Sequence, residues 1–488
     1  MAELEKSWRK PFAVLFLCLA LFLSRSSAQE AAPVQEHPKP ATPTEAQPPP
    51  SPPVQPQTPS IESSKPITKA QAKALFRSVD EILQFASQDT GLPIKHKVKR
   101  KLITRDQVEH YVEQRISSDK DAQRLERSQL VLEKFGLIPQ NYDLHAEFVK
   151  LLREQVAAYY DPKTKTVNLL DWVSPELQRP VLAHELTHAL QDQTVDLRAW
   201  FRAGGKDEGS LPDQQEQSVE EAQAARENVA EGQAMMVMMD YILAPSSNVL
   251  KSPEVVNAMR ASITDGKNLP VLAAAPTYLR ESLLMPYAFG LDFERAVLIM
   301  KGTTAAYGGV LQRPPANTLE VMQPDHYLEN QSVTPLKIPN LDELMAPGYE
   351  RYDFGGIGAF DIYLLAKQYV PDEDPKLYYP HWRGGYYLAA HQKTAPKTQV
   401  ALIFVTRWDS PESANAFAKM YGDYIPKRYP GANRLPASCP VPTIQSECSL
   451  REWDTSQGRV SLEIRGDQIL VLEGLDDTVR QRVRVALF

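Results

Sequence analysis

The apolar positions of this chain change period several times, and each change marks an element. Helical spacing predicts helices over 70–86, 105–116, 121–135 and 144–157. Over 157–170 the spacing tightens around Asp161-Pro162-Lys163-Thr164, which predicts a β-hairpin turning there. Helical spacing returns over 181–192, a stretch without Gly or Pro, with Pro180 placed like a first-turn proline. A long helical stretch then opens at Ser218-Val219-Glu220-Glu221, which reads as a capping box, and runs through Asp240 toward a stop at Pro245. Residues 278–301 predict a further helix. From about Tyr378 the character changes to strands at 386–391 and 399–406 and a helix from Ser410-Pro411-Glu412 to about 428. A hairpin of 459–464 and 468–472 crosses Arg465-Gly466-Asp467, and a helix over 476–487 closes the chain. This pattern is α+β. It divides into a mostly helical unit over 67–372 with a small strand-bearing subdomain, and a smaller α+β unit over 373–488.

The helix at 181–192 carries the chemistry. Leu182, Leu186, Ala189, Leu190 and Gln193 fall on one arc, while His184, His188 and Gln191 fall on the opposite one. In His184-Glu185-Leu186-Thr187-His188, the two histidines four apart stack on one face, so both imidazoles can reach one metal ion at about 2.0–2.1 Å. Glu185 lies roughly 100° round the helix. That places it beside such an ion without binding it, where a base for a metal-activated water has to stand. The plain alternative is two buried histidines satisfied by neighbours, which explains neither the glutamate between them nor their placement. Catalytic zinc sites use three protein ligands and an open position. A metzincin would supply a third histidine ten residues after the first, past a glycine; here those positions are Thr194 and Gln191.

Further stretches carry a resemblance to a known family. Tyr159-Tyr160-Asp161-Pro162-Lys163-Thr164-Lys165, the segment from Ala183 to Gln193, Glu231-Gly232-Gln233-Ala234 and, more weakly, the region from Arg313 to Glu320 are the matching stretches. On them the chain resembles gluzincin-type metallopeptidases of the zincin-like superfamily, and more closely a group of largely uncharacterised secreted bacterial proteins. The likeness covers roughly residues 90–340. It implies one zinc ion held by His184, His188 and Glu231, with Glu185 as general base and acid, and a peptide or protein as substrate. Glu227, one turn earlier on the same face, is the rival third ligand. Glu231 is preferred because the Gly and Ala beside it would let two helices approach closely. Glu220 and Glu221 read as solvated helix surface and cap. Thermolysin-like sites place an aspartate four residues after the glutamate to orient a ligating histidine; Met235 stands there, so that partner is unassigned. Tyr287 is the first candidate donor to an oxyanion, with His326 and Tyr327 next. The hairpin strand before the metal helix either pairs with an extended peptide, near Val167, or covers the core. The rival reading is a zincin-shaped binding or scaffold protein without useful turnover.

Composition sets the compartment and excludes one class of partner. Residues 1–28 read as a secretory signal peptide: Lys6, Arg9 and Lys10, an apolar run from Phe12 to Leu23, and Ser26-Ser27-Ala28 before Gln29. The run is short for a span of about 20 residues, and no other stretch is apolar enough to cross a bilayer. The expected location is therefore secreted or periplasmic, with no stable membrane span after cleavage. Removing 1–28 leaves 50 basic and 59 acidic side chains, a net −9, which argues against nucleic acid as a partner. The basic run over 95–101 reads as solvated charge. Residues 29–66, rich in Pro, Ala, Gln, Ser and Thr, read as an extended disordered linker. Cys439 and Cys448 either close a short disulfide loop in an oxidising compartment or stand as two unrelated thiols.

Overall fold

The computed structural model of the chain describes residues 66–108, 110, 128–155, 158–202, 212–243, 252–265, 269–436 and 450–488. The expected signal peptide, the Pro-rich stretch, most of the helix expected at 105–116 and the Cys439–Cys448 pair lie outside them. The α+β expectation holds: helices dominate, and the strands form two separate sheets.

Helix α1 (Lys69–Thr90) begins at a capping box in which Thr68 and Gln71 satisfy each other's backbone donors, and it stops at Gly91, whose φ of +72° suits a residue without a Cβ. Its stripe of Leu75, Val79, Ile82, Leu83 and Ala86 is buried and joins the main core. Strand β1 (Lys99–Ile103) follows, and helix α2 (Leu144–Gln155) leads into the hairpin of β2 (Ala158–Asp161) and β3 (Thr166–Leu170). The basic run at 95–101 thus runs into a strand, with Lys99 and Lys101 exposed and Arg100 paired to Asp80. β1 adds in parallel to β3, so β3 is the central strand of a β1-β3-β2 sheet. Both edges of β3 are occupied. A peptide along Val167, one of the two expectations for the hairpin, therefore has no ladder to join; among the described residues the edge strands are β1 and β2.

Helix α3 (Pro175–Val195) starts five residues before Pro180, with Pro175 in the first turn behind Ser174. Pro180 sits in the second turn, inside the helix, where it forgoes the bond an N–H would make to the Glu176 carbonyl. Every residue from 181 to 192 is buried, polar ones included, so the helix runs through the centre of the molecule. Helix α4 (Asp213–Leu243) likewise starts five residues ahead of Ser218, and no cap forms at that serine. Glu220 and Glu221, expected at the surface, are buried instead. Glu220 accepts from the Gly356 N–H, and Glu221 accepts from both the N–H and the hydroxyl of Thr318.

Helix α5 (Thr277–Lys301) lies along α4 at unusually close range. A Cβ on Gly232 would overlap the Gly290 carbonyl, and one on Gly290 would overlap the Asn228 carbonyl. The closeness expected from Gly232 is thus real, and the helix it admits is α5.

The second sheet has the order β4-β5-β6-β10-β9-β8-β7. Its strands are β4 (Tyr349–Gly356), β5 (Trp382–Gln392), β6 (Ala401–Trp408), β7 (Asn433–Arg434), β8 (Leu450–Thr455), β9 (Gly458–Arg465) and β10 (Gln468–Glu473). All pairings are antiparallel. Helix α6 (Ala359–Tyr369) follows β4, and helices α7 (Pro411–Arg428) and α8 (Asp477–Leu487) fall where the apolar spacing put them. One sheet face, with Leu402, Phe404, Ile469 and Val471, joins α7 and the core that reaches back to Leu75. The other, with Ile403, Val405, Leu470 and Leu472, packs under Val479 and Val483 of α8. Burial on both faces explains the nearly continuous apolar runs of β6 and β10. A buried charge cluster also ties this sheet to the front of the chain. Glu473 accepts from Arg428, Tyr421 and Tyr429, and the Lys134 ammonium lies 3.8 Å away. Among the described residues no helix is long and apolar enough to cross a membrane.

Candidate metal centre

The site forms where α3 and α4 face each other. His184 Nε2 lies 3.0 Å from His188 Nε2 and 3.0 Å from Glu231 Oε2, and His188 Nε2 lies 3.5 Å from Glu231 Oε1. Two ligand atoms held tetrahedrally at about 2.05 Å from an ion stand about 3.3 Å apart. The observed separations bracket that value. The three residues are buried and their donor atoms lie within 4.8 Å of one another, so they could hold a metal ion. Glu227 is not part of this group.

Electrostatics favour a cation here. Burial alone would raise the Glu231 carboxyl, but the His188 and His184 imidazoles beside it bring it down to about 2. For His188, burial works downward, yet the facing Glu231 carboxylate and the Glu185 charge outweigh it and raise its pKa. Carboxylates and imidazoles crowded together suit an ion that takes up the lone pairs.

A chain of amides fixes the proton on His188. The Gln233 Nε2 donates to the carbonyls of Ala306 and Tyr307, so Gln233 Oε1 must be the acceptor that faces Gln191. The Gln191 Nε2 donates to that oxygen and to the Ala230 carbonyl, which turns Gln191 Oε1 toward His188 Nδ1 at 2.9 Å. His188 therefore carries its proton on Nδ1, and its Nε2 lone pair points at Glu231 and His184. This is the orienting partner that Met235 left unassigned. Met235 itself is buried in the apolar core. Sequence reasoning placed Gln191 on the histidine face without giving it a role, and Gln233 sat inside the matched Glu231 segment. The arrangement is one-sided: His184 Nδ1 finds no hydrogen-bond partner among the described residues.

Glu185 points elsewhere. It is fully buried, and its Oε2 accepts the Tyr160 N–H at 2.6 Å. Since β2 is an edge strand among the described residues, this donor lies on the edge away from β3, and Glu185 occupies it. The same hairpin is anchored at the end of α3. The Tyr160 hydroxyl and the Lys165 ammonium both bond Asp192 Oδ2, at 2.7 and 2.6 Å.

No family model, no curated protein and no solved structure matches this chain. The site stands on its geometry alone.

Of the oxyanion candidates, Tyr287 has its ring centroid 6.2 Å from that of His184, on the α5 turn just before the Gly232–Gly290 contact. Tyr327 is engaged elsewhere, donating to the Arg313 carbonyl beneath the Arg313 guanidinium. His326 lies on the same short helix and is not among the residues that could share a metal. In the region from Arg313 to Glu320, Asn317 caps a short helix and Thr318 ties it to Glu221, both structural tasks. His381 and His391, which had no motif around them, bond Asp409 and the Gln399 carbonyl.

Proposed function

We propose that this chain is a zinc-dependent peptidase acting outside the cytoplasm, of the gluzincin type its motifs resemble. The observation that carries the reading is the convergence of His184, His188 and Glu231 on one point, with Glu185, next to His184 on the same helix, bonded to the edge strand β2. Two histidines and one glutamate are a donor set that leaves a fourth position of zinc open. Zinc held there would supply Lewis acidity toward water and a scissile carbonyl. The chain's own groups do the rest. Glu185 takes the proton of an attacking water and passes it to the leaving amine. The Tyr160 N–H, bonded to Glu185, fixes the position of that carboxylate. An extended peptide lies alongside the edge strand β2, past the Tyr160 donor that Glu185 holds, one strand from Val167. The Tyr287 hydroxyl stabilises the oxyanion. Export follows from residues 1–28.

Glu185→Gln tests this reading. It keeps size and the acceptor for Tyr160 but removes the base. Hydrolysis of an unfolded protein should fall by about 10²–10⁴-fold, with metal content unchanged. Activity that survives the change rules the mechanism out. A second reading, a metal held for structure in a scaffold protein, is favoured by one observation: the three donors are only 0–7 % exposed. On that reading wild type and variant are equally inactive.

A further inference from the structure

Charge is spread unevenly along this chain. Residues 66–108 carry nine Lys and Arg against four Asp and Glu, although the chain from Gln29 on is net negative. The fold gathers that excess on one flank. In and just before β1, Lys97, Lys99 and Lys101 take alternate positions; between them Val98 is buried and Arg100 turns to Asp80 of α1. Alternation puts the three lysines on one side of the strand, about 7 Å apart. On α1, Lys69, Lys73 and Arg77 follow at four-residue spacing and share their helix face with Asp80, three residues on. This second row therefore runs beside the strand that Asp80 holds.

Lys163 adds to the same flank, from the turn whose Lys165 carbonyl accepts the Lys99 N–H. These side chains are all exposed, and among the described residues none is paired with a carboxylate. Lysines on an edge strand also keep it from pairing with other chains. That task concerns the strand alone. It accounts neither for the row on α1 nor for Lys95 and Lys97, which precede β1.

Ammonium groups on long stems with no fixed partner are point charges without a set geometry. They suit a plane of mobile phosphates better than one shaped anion. Ile94, 36 % exposed beside Lys95, offers the apolar contact that a bilayer interface accepts. In the β1-β3-β2 sheet, β1 is the edge away from β2, so a plane that meets β1 does not have to cover β2. We propose that the flank formed by β1 and α1 docks the protein on the anionic headgroups of a lipid bilayer. The proposal depends neither on turnover nor on the metal.

The test reads sedimentation of the exported form, from Gln29 on, with vesicles. These are of phosphatidylcholine alone or mixed in equal parts with phosphatidylglycerol. Binding to the anionic vesicles should be on the order of tenfold or more tighter than to neutral ones, and should fall as salt is raised. Lys97→Gln, Lys99→Gln and Lys101→Gln together should weaken it about tenfold or more with the melting temperature unchanged. Should that variant unfold, Lys69→Gln, Lys73→Gln and Arg77→Gln on α1 take its place. The same change of charge at Lys337, Lys393 and Lys397, exposed in other segments, should leave binding as in wild type. Equal binding to neutral and anionic vesicles, a β1 variant that binds like wild type, or a distant variant that loses as much overturns the proposal. So does tighter binding, phosphate for phosphate, to soluble duplex DNA or inorganic polyphosphate. Wild type that binds no vesicle, with a β1 variant that self-associates, reduces these lysines to guards of the strand edge and overturns it too.

Discussion

At the scale of single residues, the site depends on which atom of His188 carries the proton. That is settled two amides away, at the backbone carbonyls of Ala306 and Tyr307 that hold Gln233. Gln191→Leu keeps the volume but removes the acceptor for His188 Nδ1 and leaves Gln233 Oε1 unmatched. Metal affinity, measured by competition with a chelator, should fall about 10–100-fold with the fold retained. An unchanged affinity would mean that the amide chain does not orient the ring. The grouping of His184, His188 and Glu231 was legible because i, i+4 spacing and a matched segment are local properties of sequence. Gln191 and Gln233 were not: an amide is informative only once its partners across the fold are known. The same limit misled the reading of Glu220 and Glu221, which look like surface glutamates on a helix and become buried acceptors because β4 and Thr318 pack onto them.

At the scale of elements, the position of Glu231 follows from the closeness of α4 to α5. Gly232 and Gly290 have ordinary helical backbones, so conformational freedom is not their purpose; the space between helices is. Gly290→Ala sets a methyl against the Asn228 carbonyl of α4. It should lower stability by about 1–3 kcal/mol, read from denaturant midpoints, because two helix backbones must separate. A neutral result would show that the crossing is looser than described. Helix boundaries were the weaker part of the sequence reading here. Both α3 and α4 start five residues before the signals that were read, since Pro180 and Ser218 each fit a helix interior once tertiary packing supports it. The hairpin at 158–170 and the elements α7, β9, β10 and α8 were legible, as each has a turn or cap signal beside it. Strands β1, β4 and β8 were missed. Their charges, such as Lys99, Arg100 and Lys101 in β1, mask any alternation, and their pairing is long-range.

At the scale of the whole molecule, one core runs from Leu75 of α1 to Val471 of β10, and the Lys134–Glu473–Arg428 cluster seals the front of the chain to the last strand. The change of character near Tyr378 is real in composition, yet the sheet beyond it takes β4 from earlier in the chain and its inner face shares the core around the metal group. A metal at the meeting of α3 and α4 would therefore stabilise the whole unit and not a local loop. The most direct measurement is the metal content of purified protein, wild type against Glu231→Ala, by elemental analysis after dialysis. The account predicts about one zinc per chain in the wild type and a large loss in the variant, with a lower melting temperature on chelation of the wild type. Wild-type protein that retains no divalent metal, or a Glu231→Ala variant that holds zinc as tightly, would contradict it.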